Sequence, residues 1–128
     1  MAFLSCTPFA AADATQSSLN SGIIDGMGVY AMSVQAFASA SNTSTVKVQG
    51  SNDQAGSYSP GPMNSAGTGV WAPSHWTDIA SASITLAGTT PAAVEFSFKP
   101  YRWYRLVYTK ASTPTGTFTA TVAALKRF

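Results

Sequence analysis

The sequence predicts an all-β fold, an antiparallel β-sandwich or jelly roll of about seven or eight strands with an extended N-terminal arm and one long loop. Three observations carry this expectation. Apolar and polar residues alternate with period two over repeated short segments. Clusters of Gly, Pro, Asn, Asp and Ser punctuate those segments. The Ala-rich stretch at 31–40, the strongest competitor for a helix, itself alternates as a strand. A chain of 128 residues suffices for one domain with a substantial core.

Taken in order, residues 1–15 hold Phe3, Leu4 and Phe9 without a strand pattern and read as an apolar arm; residues 16–128 read as the sandwich. In Tyr30–Phe37 one face carries Tyr30, Met32, Val34 and Ala36, while Phe37 interrupts the otherwise small or polar opposite face. Val46 and Val48 point inward between Thr45 and Gln49, and Ser51-Asn52-Asp53 ends that strand with turn chemistry. Trp76–Ile79 and Ser83–Leu86 read as two short strands. Val94, Phe96 and Phe98 alternate with Glu95, Ser97 and Lys99, and Pro100 closes the run. Glu95 is expected to face outward, where a cross-strand Lys or Arg could pair with it. Arg102–Thr109 is an aromatic and β-branched strand. Thr115–Leu125 sets Phe118, Ala120, Val122 and Ala124 against a threonine row. The Pro- and Gly-containing loop Lys110–Gly116 between these last two reads as a hairpin.

The segment 54–75 breaks the rhythm. It is rich in Gly and Pro, yet carries Tyr58, Met63, Val70 and Trp71. Connections this long are uncommon in compact domains and are often functional. Large apolar groups there imply that the loop either folds over a sheet or lies on a partner.

Composition points the same way. Charged residues are 9% of the chain, against about 25% in ordinary soluble domains. Their place is taken by 21 Ala, 17 Ser and 15 Thr. Such a surface is weakly hydrated and orders at little side-chain entropy cost. It suits a protein covered by neighbours. A net charge of +2 is too small to argue for nucleic acid or a membrane surface, and no segment reaches the ~20 apolar residues of a membrane span. Met1–Cys6 does not read as a lipoprotein signal, because no basic residue precedes the short apolar stretch and Pro8 interrupts it. The chain therefore reads as made in the cytoplasm and unprocessed. Cys6 is the sole cysteine and reads as a small packed residue.

Chemistry-bearing residues are sparse. The five acids Asp13, Asp25, Asp53, Asp78 and Glu95 form no metal-loop pattern, and Asp53 reads as a turn former. His75 is the sole histidine, so a zinc site lacks ligands. No nucleophile-elbow or phosphate-cradling motif occurs. No catalytic residue, metal or cofactor is expected. In Tyr101–Tyr108, Trp103, Tyr104 and Arg105 could stack on sugars or bases, but a central sandwich strand accounts for the same residues.

The order Tyr30-x-Met32-Ser33-Val34-Gln35, then Lys47-Val48-Gln49-Gly50-Ser51-Asn52-Asp53, Trp76-Thr77-Asp78-Ile79 and Tyr101–Thr109 resembles a group of small tailed-phage virion proteins with a discoidin-like β-sandwich. The likeness covers about residues 28–125. It implies a non-enzymatic virion component, acting as capsid decoration or cement or as a tail or fibre part. The chain departs from that group in the inserted 54–75 loop and the apolar arm, both of which fit an added contact role. Copies of this chain and other virion proteins are the expected partners, with Phe3, Leu4, Phe9, Tyr58, Met63, Val70, Trp71, Arg102 and Arg105 as candidate contacts. The alternative is a module binding host-surface glycan through Tyr58, Trp71, His75 and Trp76. Nucleic-acid binding through Lys99, Arg102, Arg105 and Lys110 is the least supported.

Overall fold

Among the described residues, nine strands, the longer ones largely alternating in burial, build two antiparallel sheets. The computed structural model describes residues 2–53, 73–97, 99–111 and 113–127. Tyr58, Met63, Val70, Trp71 and Phe98 lie outside these residues. The strands are β1 (Ala2–Asp13), β2 (Ser18–Asn20), β3 (Ile24–Asp25), β4 (Val29–Ala38), β5 (Thr45–Ser51), β6 (Thr77–Thr85), β7 (Ala92–Ser97), β8 (Trp103–Thr109) and β9 (Thr117–Lys126). Sheet A runs β1-β9-β4-β7. Sheet B runs β2-β8-β5-β6, and β3 also pairs with β8. With β2 and β3 counted as one interrupted strand, this is the strand order of an eight-stranded jelly roll.

The core forms where the inward rows meet. Sheet A contributes Met32, Val34, Ala36 and Ala38 from β4 and Phe118, Ala120, Val122 and Ala124 from β9. Sheet B contributes Val46 and Val48 from β5 and Tyr104, Leu106 and Tyr108 from β8. Alanines on one sheet thus oppose bulky side chains on the other, which lets the layers interdigitate. Tyr108 stacks on Phe118 across the gap, at 4.0 Å between ring centroids, and Phe9 packs on Phe118 at 4.9 Å. The buried Tyr108 hydroxyl donates to Ala14 O (2.9 Å), meets Ser44 Oγ (3.0 Å) and accepts from Asn42 Nδ2 (3.1 Å). One hydroxyl therefore ties two loop segments, β1–β2 and β4–β5, to the centre of sheet B. Gly50 is required by close approach: a Cβ there would stand 2.3 Å from the Tyr101 ring.

Four local expectations are corrected. Residues 1–15 are not an arm, because Ala2–Asp13 is strand β1, paired with β9. Two register shifts, Cys6/Phe9 and Phe9/Ala12, move the inward set from Leu4 and Cys6 to Phe9 and then Ala12, which hides the period-two pattern. The Lys110–Gly116 loop is not a hairpin: β8 lies in sheet B and β9 in sheet A, so the loop crosses between sheets. Trp76–Ile79 and Ser83–Leu86 are not two strands but belong to the run containing β6, whose register shift between Lys47 and Gln49 on β5 spans Ser83 to Asp78 on β6. Glu95 has Ser33 opposite it and forms no ion pair with the described residues. The short strands β2 and β3 escaped the sequence because two or three residues give no periodicity.

The sheet edges are blunted. Strand β1 carries Pro8 and its two shifts, with Ala11 at φ 48°. Strand β6 is bulged, with Ser81 at φ 63°. Strands β2 and β3 are short. Bulges, proline and short lengths discourage edge-to-edge pairing with another sheet.

Replacing Tyr108 by Phe keeps the stacking but removes the hydroxyl from three buried partners. We expect Tyr108→Phe to cost about 1–3 kcal/mol in urea unfolding. A loss below about 0.5 kcal/mol would show that the hydroxyl does not secure these loops.

Candidate functional site

The two outer faces of the sandwich differ in chemistry. On sheet B, the cross-strand register aligns Asp78 on β6, Gln49 on β5 and Arg105 on β8. Gln49 Nε2 donates to Asp78 Oδ1 (2.8 Å), and Arg105 Nε donates to Gln49 Oε1 (2.8 Å). Lys47 Nζ reaches Asp78 Oδ2 at 3.1 Å. The Gln49 hydrogen bond, followed by that of Lys47, holds the Asp78 carboxyl below the usual range. Burial lowers the pKa of the Arg105 guanidinium. That guanidinium lies 4.4 Å from the Trp76 ring centroid, and Arg102 lies 3.8 Å from that of Trp103. Arg102 also pairs with Asp25. Each arginine–ring contact contributes about 0.5–1 kcal/mol at exposed sites.

Beside this row, Asp53 closes the neck of the 54–72 segment. Its Oδ2 accepts from the backbone N–H of Ser74 (2.8 Å) and of His75 (2.9 Å). His75 Nδ1 lies 3.2 Å from the same oxygen. Trp103 Nε1 donates to Asp53 O, and Trp76 Nε1 donates to Pro73 O. Asp53 is thus more than a turn former, because it joins residues on both sides of the long insertion. Its backbone N–H donates to Ser51 Oγ in the expected local turn.

The outer face of sheet A is the opposite case. Its residues form cross-strand rows: Phe3–Leu125–Ala31–Ser97, Ser5–Ala123–Ser33–Glu95, Thr121–Gln35–Ala93 and Thr119–Phe37. Across these rows Glu95 is the only charged residue; Asp13, paired with Thr117, stands at the end of the face. Phe3 is 69% exposed and Phe37 42% exposed. A groove of about 510 Å³ crosses the face, with Phe3, Ala31, Ser33, Glu95, Ala123 and Leu125 among its lining residues.

The predicted contact residues divide between these places. Phe3 lies on the neutral face. Leu4 is half-buried against the core, and Phe9 is within it. Arg102, Arg105, His75 and Trp76 gather on sheet B and around its neck. Phe37 stood out in the sequence only as an interruption of alternation; its position on a sheet face with few charges required the β4–β9 register. The linkage of Gln49, Asp78 and Arg105 likewise depends on strands distant in sequence. Cys6 is half-buried, and burial raises its thiol pKa. Among the described residues no group of three His, Cys, Asp or Glu could hold a metal.

No protein-family model matches the chain, and no curated protein sequence does. Among solved structures it is similar to the PBSX exported protein XepA, with a TM-score of 0.64 and 15% identity over 98% of this chain and 38% of that one. It is also similar to the SPBc2 prophage-derived protein YomS, with a TM-score of 0.54 and 14% identity over 96% of this chain and 92% of that one. A looser likeness, TM-score 0.48 and 12% identity over 99% of this chain and 97% of the other, is to the xylan-binding module CBM86 from Roseburia intestinalis. At these identities the first two likenesses concern the fold alone. The chain spans about two-fifths of XepA.

Hydrogen bonds from His75 and Ser74 hold the Asp53 carboxyl below its ordinary pKa. A carboxyl lowered by folding stabilises the folded state above its unfolded pKa, and that contribution is lost as pH falls through the folded value. The neck should therefore loosen below about pH 4. Amide NMR shifts of Ser74 and His75 are expected to titrate there together in the native protein. Unchanged shifts down to acid unfolding would contradict the Asp53 closure.

Proposed function

We propose that this protein is a non-enzymatic structural component of a phage particle, held by neighbouring protein chains that cover the outer face of sheet A. The observation that carries this reading is the nearly uncharged face itself, with Phe3 and Phe37 standing out from rows of Ala, Ser and Thr. Side chains of this kind are cheap to desolvate, and exposed apolar patches of appreciable size often mark interaction sites. The fold likeness to two prophage proteins supports the phage setting. Such a face would serve capsid decoration or cementing as well as a tail or fibre position.

The glycan-binding alternative has less support from the described residues. Sugar stacking needs open aromatic faces, whereas guanidinium groups lie over Trp76 and Trp103. The amide of Gln49 is engaged at both ends. A sugar stacking on those same ring faces, or hydrogen-bonding the Gln49 amide, would have to displace these contacts.

The test uses single cysteines in a Cys6→Ala background. Gln35→Cys places a thiol on the outer face of sheet A, and Lys47→Cys places one on that of sheet B. In intact particles, maleimide labelling at position 35 is expected to be at least about tenfold slower than after particle denaturation, as for a buried site. Labelling at position 35 at the denatured rate would overturn the reading. Tryptophan fluorescence is expected to remain unchanged on adding xylan or other oligosaccharides; saturable quenching would favour the alternative.

A further inference from the structure

We propose that the chain covering the outer face of sheet A is a second copy of this protein, packed face to face about a two-fold axis perpendicular to the strands. The inference rests on the reading above and deepens it by naming the occupant.

The argument begins with the register. On β4 the outward residues are Ala31, Ser33, Gln35 and Phe37, each with a known neighbour on β9. A two-fold axis crossing β4 midway between Ser33 and Gln35 exchanges the Ala31 row with the Phe37 row. Each copy's Phe37 then stands over the other's Ala31, at the floor of the groove. Gln35 stands over Ser33, where its amide can meet the hydroxyl. On β9, Leu125 stands over Thr119 and Ala123 over Thr121. On β7, Glu95 stands over Ala93. Phe3, in the Leu125 row of β1, comes over the exposed Ala10–Ala11 stretch, where Ala11 N donates to Thr119 Oγ1. Each bulky outward residue thus meets a smaller one, and the pairing is reciprocal, as an isologous contact requires. Packed sheets are offset by about 30°, which moves Phe37 by roughly one strand spacing, from Ala31 towards Ser97 or Leu125 in the same row; all three line the groove, and the pairings above hold most closely beside the axis.

Size and charge agree with this occupant. Four strands at about 4.8 Å and eight residues at about 3.4 Å give a footprint of roughly 500 Å² per copy. Two copies bury about 1,000 Å² before side-chain relief is counted, the minimum for a biological interface and below the ~1,200 Å² where stable ones begin, which points to a weak, concentration-dependent dimer. Because the rows carry one charge, self-pairing brings few like charges together. The blunted edges at β1, β2 and β6 favour a face, rather than an edge, for association.

Sedimentation equilibrium of the purified full chain measures the association. A dimer is expected. Phe37→Asp, at an exposed position, should weaken it by at least about 30-fold while leaving the circular dichroism spectrum unchanged. In a Cys6→Ala background, Gln35→Cys, beside the axis, should give covalent dimers with a short bis-maleimide, because facing sheets stand about 10 Å apart and a direct disulfide needs Cα atoms within about 7 Å. With one cysteine per chain no internal link can form. A monomer at all concentrations, a dimer indifferent to Phe37→Asp, or failure of the Gln35→Cys variant to cross-link would overturn the two-copy interface. The outcomes separate this proposal from the one it rests on. A monomeric protein whose position 35 is protected in the particle refutes self-pairing alone, whereas free labelling at position 35 in the particle refutes the structural reading.

Discussion

The contact on which the fold turns is the stack of Tyr108 on Phe118. It is the place where sheet B and sheet A meet ring to ring, and Phe9 extends it to the edge strand β1. The same tyrosine secures Ala14, Asn42 and Ser44 through its hydroxyl. Loops of a jelly roll must cross between sheets, and each crossing risks leaving buried polar groups unpaired. Here several of those demands are met by one side chain at the centre. The alanines of β4 and β9 make this geometry available, because they leave room for Tyr104, Leu106 and Tyr108.

With the interior filled in this way, function is left to the two outer faces. Sheet B spends its few charges on itself, linking Asp78, Gln49, Lys47 and Arg105 and placing guanidinium groups on Trp76 and Trp103. These contacts also brace the neck closed by Asp53. The central rows of the outer face of sheet A hold Glu95 as their one charge, with Asp13 and Lys126 at the ends of β1 and β9, and present two phenylalanines over small residues. A low overall charge is therefore not spread evenly. It is concentrated as an absence on one face, which is the pattern expected of a surface buried by protein.

Much of the architecture could be read from the sequence, because strands half-buried in a sandwich announce themselves by alternation. The inward sets of β4, β5, β8 and β9 follow directly from that rule. The rule failed where the backbone departed from regularity. Bulges in β1 shifted the inward face twice, so Leu4 and Phe9 looked like parts of an arm. The loop before Thr117 carried hairpin residues but joined different sheets, a choice made by tertiary packing. The candidate surfaces were legible only in fragments. Arg102, Arg105, His75 and Trp76 could be named, but their convergence depends on pairing between β5, β6 and β8. Phe37 was visible as an anomaly, whereas its place opposite Thr119 was not.

The central claim is that protein covers the outer face of sheet A in the assembled particle. A near-atomic electron cryomicroscopy map of that particle tests it most directly. The account predicts side-chain density from an adjoining chain in contact with both Phe3 and Phe37. A map in which this face is bordered by solvent would contradict it.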